Sequence, residues 1–176
     1  KELDNEIGRE ETFETIKKVF RLGLSHLTDR GITISVEDLD LDAKVVDASK
    51  EIIEKADVKT KEIIESYRDG TLEIIPGKTK EESREIAILK TLNEIRTKIG
   101  EIVKKEFPDT NPVSHMIKSG GGGKILNITQ MACCVGQQSF MGRRVDFGYT
   151  DRTLSFFKQG DLGPKARGFI NNPFIK

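Results

Sequence analysis

Two long apolar stripes, separated by only a short loop, constrain this chain more than any other feature. Over residues 39–67, Val45, Ser49, Ile52, Ala56, Ile63 and Tyr67 follow a helical period, and Val46, Ile53 and Ile64 widen the stripe. That period places one apolar face along an α-helix. Asp69-Gly70 ends the stretch, and a loop runs through Pro76-Gly77. A second stretch opens at Thr79-Lys-Glu-Glu82. This pattern fits a capping box, in which the hydroxyl accepts from a free amide of the first turn and the glutamate reaches back. Ile88, Leu92, Ile95, Ile99 and Ile102 then line one side as far as Pro108. Each helix of about 28 residues spans roughly 40 Å. Joined by so short a loop, the two lie antiparallel as a coiled-coil-like hairpin, with apolar surface left for a neighbour. Such a hairpin is a strut or docking surface far more often than a catalytic device.

The flanking segments read differently. Residues 5–30 form an amphipathic helix in which Ile16, Val19, Phe20, Gly23, Leu24 and Leu27 recur on one side and Gly31 marks the stop. Residues 32–36 alternate as a short extended piece, and a new helix start falls among Glu37, Asp38 and Asp40. After the hairpin, Asn111-Pro112 reads as an N-cap followed by proline at the first helical position, opening a short helix to Lys118. A Gly-rich loop, residues 119–123, leads to another short helix over 127–135, closed by Gly136. Beyond it, residues 142–149 and 152–157 alternate as short strands, and the tail through Pro164 and Pro173 is irregular. The fold class is therefore mainly α: a long antiparallel helical hairpin plus a smaller region of short helices, short strands and loops.

Charge divides the chain at the same place. Residues 1–110 hold 20 Lys+Arg against 26 Asp+Glu, whereas residues 111–176 hold 9 Lys+Arg against 3 Asp. The first part is thus at −6 and the second at +6, an asymmetry that turns the second part toward an anionic partner. No run approaches the roughly 18 apolar residues that cross a bilayer. Cys133 and Cys134 are neighbours, too few and too close for a zinc site, and read as small packed residues in a reducing, cytoplasmic compartment.

Chemistry-bearing motifs are sparse. Gly120-Gly-Gly-Gly-Lys124 lacks the spacing of a nucleotide-binding P-loop, and Ile125 stands where that loop needs Ser or Thr. Asp146, Asp151 and Asp161 do not cluster as a two-metal site requires, and Ser139 has no histidine near it in sequence. Asn127, Gln130, Gln137 and Gln138 form an amide-rich patch suited to holding another backbone or a polar ligand. Arg143, Arg144, Arg152 and Arg167 read as surface ion-pair partners.

The run Leu126-Asn-Ile-Thr-Gln-Met-Ala-Cys-Cys-Val-Gly-Gln-Gln-Ser139 adds a resemblance. It is similar to the segment just before the bridge helix in the largest subunit of archaeal and eukaryotic multi-subunit, DNA-directed RNA polymerases. The likeness continues through Gly142-Arg-Arg-Val, Phe147-Gly-Tyr, Asp151-Arg-Thr-Leu and Gly163-Pro-Lys-Ala-Arg-Gly-Phe169. Upstream, Leu92-Asn-Glu-Ile-Arg-Thr-Lys-Ile-Gly100 resembles the family's funnel helix.

The resemblance implies a role for each part. Residues 1–35 match the end of the pore region, 36–110 the funnel's helical hairpin, and 111–176 the Gly-rich loop and floor before the bridge helix. The hairpin then walls the secondary channel, where transcript-cleavage factors dock. Arg96, Gln130, Gln137, Gln138, Ser139 and Gly142 match positions around the pocket where a cyclic-peptide toxin binds eukaryotic relatives. Their implied ordinary role is support of the bridge helix and trigger loop. The family's Gly-rich loop carries a basic residue near the incoming triphosphate; here Gly122 stands at that position, and Lys124 is the candidate phosphate contact. The implied partners are the other polymerase subunits, the rest of the largest subunit, DNA, RNA and nucleoside triphosphate, with no membrane. The catalytic magnesium is bound elsewhere, so no catalytic or metal-ligating residue and no cofactor is expected here, and this piece alone is expected not to polymerise. Two other readings of the residues are a free-standing helical interaction module and a small nucleic-acid-binding domain using the basic last third.

Overall fold

A computed structural model describes residues 1–146, 149 and 151–175 and divides the chain into two compact units, residues 1–35 and 36–176. The first holds α1 (Glu2–Ile7) and α2 (Arg9–Arg30). Gly8, at φ 81°, interrupts what the periodicity predicts as one helix. Gly31 closes α2 as expected, its amide donating to the Leu27 carbonyl at 2.7 Å. No residue of this unit is buried; Phe13, Ile16, Val19, Phe20, Leu24 and Leu27 are all exposed.

The second unit is built on the hairpin. A single 3₁₀ turn (Glu37–Leu39) precedes α3 (Ala43–Arg68), which starts later than the acidic cluster suggests because Asp42 is the cap. Its carboxylate accepts from the Lys44 amide at 3.1 Å. α4 (Lys80–Glu106) opens with the expected capping box: Glu82 N–H donates to Thr79 Oγ1 at 3.2 Å and Thr79 N–H to Glu82 Oε2 at 3.0 Å. Tyr67 meets Glu81 and Arg84 beside the loop, while Ile52 and Ala56 face Thr91 and Ile95 farther along. The two arms are therefore antiparallel.

α4 sits at the centre of the core, packed on α3 along one side and on the residues after 124 along another. Ile88, Leu92, Ile99 and Val103 on α4 are fully buried together with Ile128, around which Val45, Ile53, Ala56, Ile64, Phe107, Cys134 and Phe169 gather. Each such aliphatic side chain contributes about 1.5–3 kcal/mol by leaving water. Two details depart from the sequence reading. Val103, not Ile102, is fully buried, because α4 must serve two sides at once. Thr60 is also fully buried on α3; its hydroxyl donates to the Ala56 carbonyl at 2.8 Å, which lets a polar residue sit in the seam.

α5 (Pro112–Lys118) follows the prediction: Asn111 Oδ1 accepts from the Val113 amide at 2.8 Å, and its Nδ2 donates to the Asp38 carbonyl at 2.7 Å. α6 (Ile125–Ala132) begins and ends earlier than predicted. Among the described residues, the remainder is held by four two-residue strands in two antiparallel pairs. β1 (Gly136–Gln137) pairs with β4 (Phe169–Ile170), and β2 (Ser139–Phe140) with β3 (Arg143–Arg144). Of the strand expected over 142–149, only Arg143–Arg144 is one; Phe147 and Gly148 lie outside the described residues. The strand expected over 152–157 is not formed. There the chain closes on itself instead: Gly160 N–H donates to the Asp151 carbonyl at 3.0 Å, and the Thr153 hydroxyl reaches the Lys158 carbonyl at 3.2 Å. A second 3₁₀ turn (Lys165–Arg167) leads into β4. No helix among the described residues is long and apolar enough to cross a membrane.

Candidate functional site

Four of the residues singled out in the sequence converge around residues 135–138. Gln130 on α6 and Gln138 after β1 both donate their side-chain amides to the Val135 carbonyl, at 3.2 and 3.4 Å. Arg96 on α4 lies alongside: a Cβ on Gly136 would sit 4.0 Å from Arg96 Cβ. Gln137 is 4% exposed and donates from Nε2 to the Gln138 carbonyl at 2.6 Å and to the Arg167 carbonyl at 2.8 Å. Its Oε1 is buried with no hydrogen-bond partner among the described residues. Ser139 is exposed in β2. Gly142 stands apart from this group, in the β2–β3 turn at φ 75°. Lys124 is exposed ahead of α6, its amide donating to Asn127 Oδ1 at 2.8 Å.

The segment holding the glutamines runs antiparallel beside the one that follows the second 3₁₀ turn. Gln138 N–H donates to the Gly168 carbonyl at 2.8 Å, and Val145 N–H to the Arg167 carbonyl at 3.3 Å. Gly168 makes this close approach possible. It adopts φ 94°, and a Cβ there would lie 2.7 Å from Val145 Cγ2 and 3.2 Å from the Gln138 carbonyl oxygen.

The strongest electrostatic feature was not read as such in the sequence. Arg144, 2% exposed, forms a two-pronged pair with Glu85 of α4: Nε to Oε2 at 2.8 Å and Nη2 to Oε1 at 3.0 Å. Its Nη1 donates to the Leu162 carbonyl at 3.0 Å. Arg84 reaches the same carboxylate at 3.0 Å and Arg167 at 3.6 Å. Arg84 also lies over the Tyr67 ring, 4.3 Å from its centroid, and Tyr67 donates to Glu81 at 3.1 Å. Arg144 and Arg167 are thus ion-pair partners, but buried ones, contrary to the surface role expected for them; Arg143 is exposed, as is Arg152, which stacks on Tyr149. Burial alone would raise the pKa of Glu85. The Arg144 hydrogen bonds and charge, then the charges of Arg167 and Arg84, outweigh that penalty and hold it below its ordinary value. Removing one partner from a fully buried pair costs about 3–5 kcal/mol, an upper bound here because Glu85 is only half-buried. The sequence signal was present in Tyr67, Glu81, Arg84 and Glu85, which gather at the hairpin end, but their distant partners are invisible to local patterns.

Beside this cluster opens a cleft of about 610 Å³, whose lining includes Tyr67, Lys78, Ile86, Met141, Gly142 and Arg143. Both cysteines are free thiols. Burial pushes Cys134 up to about 11, and it packs with Sγ 3.2 Å from the Ile170 carbonyl. Among the described residues no group of three His, Cys, Asp or Glu is placed to hold a metal ion.

Comparison with known proteins places this arrangement. The family model described as RNA polymerase Rpb1, domain 4, matches residues 63–170, which include the α4 arm, the glutamine segment and the Glu85 cluster. The chain belongs to this family. It is 42% identical over 169 residues to DNA-directed RNA polymerase subunit Rpo1N of Thermococcus celer, covering 96% of the chain and 19% of that subunit. The Rpo1N subunit of Sulfolobus acidocaldarius is 40% identical over 171 residues, 97% of the chain and 19% of the subunit. That of Methanocaldococcus jannaschii is 39% identical over 176 residues, 100% of the chain and 13% of the subunit. This Rpb1 domain 4 chain therefore spans a fifth or less of the length of these relatives.

Proposed function

We propose that this chain is a wall-and-support segment of the largest subunit of a DNA-directed RNA polymerase, working in the cytoplasm. In this reading the α3–α4 hairpin walls the funnel of the secondary channel, where a transcript-cleavage factor docks. Residues 111–176 form a floor that supports the bridge helix and trigger loop. Its partners are the other subunits, the rest of the largest subunit, and the DNA, RNA and nucleotide of the full complex. The segment contributes nucleotidyl transfer only as part of that assembly, whose magnesium is held elsewhere; alone it does not polymerise. Lys124, on its exposed loop, is the residue proposed to approach the nucleotide phosphates.

The observation that supports this reading is the match over residues 63–170 to a polymerase family, which spans polar side chains tied to the Val135 and Arg167 carbonyls. Arg96, Gln130, Gln137, Gln138, Ser139 and Gly142 then act as supports, not reactants. Gln138 is the informative one, because its side chain is exposed while its backbone is tied to Gly168. Polymerase reassembled with Gln138→Asp is expected to form normally on gel filtration and to elongate more slowly on a defined template. Unchanged elongation by the assembled variant would remove the bracing role.

A further inference from the structure

We propose that Glu85 is a positioning residue for the Gln137–Ser139 segment, acting from α4 through Arg144 and Arg167. The inference rests on the bracing reading above.

The geometry supplies two separate lines from this one carboxylate. The first runs through Arg144. Glu85 grips its guanidinium with both oxygens, and Arg144 is the register partner of Ser139 in the β2–β3 pair. The second runs through Arg167. Its guanidinium lies 3.6 Å from Glu85, while its carbonyl accepts from both the Gln137 side chain and the Val145 amide. The next residue, Gly168, accepts from the Gln138 amide. Glu85 thereby pins both chain segments between which Gln137, Gln138 and Ser139 are held. Arg84, stacked on Tyr67, fixes the carboxylate to the hairpin in turn. The side chain that sets the floor is therefore carried by α4, and the floor is registered to the funnel wall instead of floating beside it.

Bidentate pairing makes this more than a charge requirement. A carboxylate and a guanidinium in fork geometry fix orientation as well as distance, whereas an ammonium does not. A carboxamide at position 85 keeps the shape but leaves Arg84, Arg144 and Arg167 without their shared anion. Displacement of the supporting segment by about 1 Å is enough to slow a reaction up to roughly a hundredfold when the reacting groups depend on it.

The test uses whole polymerase reassembled with Glu85→Gln, Glu85→Asp, Gln137→Ala and the double variant Glu85→Gln/Gln137→Ala. Elongation is measured across nucleotide concentrations, so that the maximal rate and the nucleotide KM are separated. The positioning role predicts that Glu85→Gln lowers the maximal rate about tenfold with KM changed less than about twofold. It also predicts that adding Glu85→Gln to Gln137→Ala has little further effect, because both changes break the same connection. Independent, multiplying losses would mean that Glu85 only stabilises the fold, and would overturn the proposal. If Glu85→Gln prevents assembly, Glu85→Asp decides instead. Retaining the charge one methylene short, it is expected to lower the maximal rate measurably, and a wild-type rate overturns the proposal. The outcome for Gln138→Asp keeps the two ideas apart. If Gln138→Asp slows elongation and the Glu85 variants do not, the positioning role alone fails; if Gln138→Asp has no effect, the bracing role fails.

Discussion

Gly168→Ala is the most discriminating single perturbation of the segments around the glutamines. Two independent penalties meet at this residue. An alanine at φ 94° leaves the region L-residues prefer, which costs about 1–2 kcal/mol. Its Cβ would also sit 2.7 Å from Val145 Cγ2 and 3.2 Å from the Gln138 carbonyl oxygen. A valine methyl can rotate away, but the carbonyl is backbone, and the amide of the same residue already donates to the Gly168 carbonyl, so the segment must move. Overpacking of that kind adds about 1–3 kcal/mol, for a total of about 2–5 kcal/mol. Gly160→Ala is the matched control: Gly160 has φ 77° with nothing within 4 Å of its added Cβ, so only the conformational penalty applies. The chain has no tryptophan, so urea unfolding is followed by far-ultraviolet circular dichroism. With a slope of about 2 kcal/mol per molar urea, Gly168→Ala lowers the midpoint by about 1–2.5 M and Gly160→Ala by at most about 1 M. Equal shifts for the two variants would show that the segments beside Gly168 relax without strain, and the reasoning about close approach would be wrong.

Three further outcomes follow from the core and its buried groups. Leu92→Ala, at a fully buried position on α4, should destabilise the chain by about 2–5 kcal/mol in the same urea assay, and a loss below 1 kcal/mol would mean α4 is not central. Because the folded Glu85 pKa lies below its ordinary 4.5, its contribution is complete above that value and disappears as pH falls through the lowered one. Urea midpoints measured against pH should therefore drop less steeply on the acid side in Glu85→Gln than in the parent chain. Cys134, raised to about 11, holds roughly one thiolate per thousand molecules at about pH 8, so iodoacetamide should label it about a hundredfold more slowly than free cysteine until urea unfolds the chain.

What could be read from residue order was whatever a few neighbouring residues decide. The Thr79–Glu82 box and the Asn111-Pro112 start are local hydrogen-bond arrangements, and both formed as expected. The hairpin followed from period alone, because stripes of that length have only one economical partner. Val103 was missed because burial depends on what packs from outside the helix, and α4 has partners on two sides; Thr60 was missed because a polar residue enters the α3 seam only by giving its hydroxyl to the Ala56 carbonyl. The strand expected over residues 152–157 failed because alternation specifies a strand only when a second edge is available, and here the chain turns instead, with Phe157 N–H donating to the Leu154 carbonyl and Leu154 N–H to the Ala166 carbonyl. The glutamine patch was visible as composition, yet its organisation around the Val135 carbonyl was not. The Glu85–Arg144 pair joins residues 59 positions apart, beyond the reach of any local pattern.

The sharing of one carboxylate among three guanidiniums makes these positions unequal targets for evolutionary drift. Losing Arg84 still leaves Glu85 with two cations, and Tyr67 with its bond to Glu81. Losing Glu85 removes the carboxylate that three guanidiniums share, and no single second change restores it. A lineage can leave this arrangement only by altering several distant residues nearly together, so Glu85 is expected to change more slowly than the exposed residues of the same helix. Homologous chains sampled across lineages would then carry position 85 as a mark of common descent even where the outward faces of the hairpin have diverged.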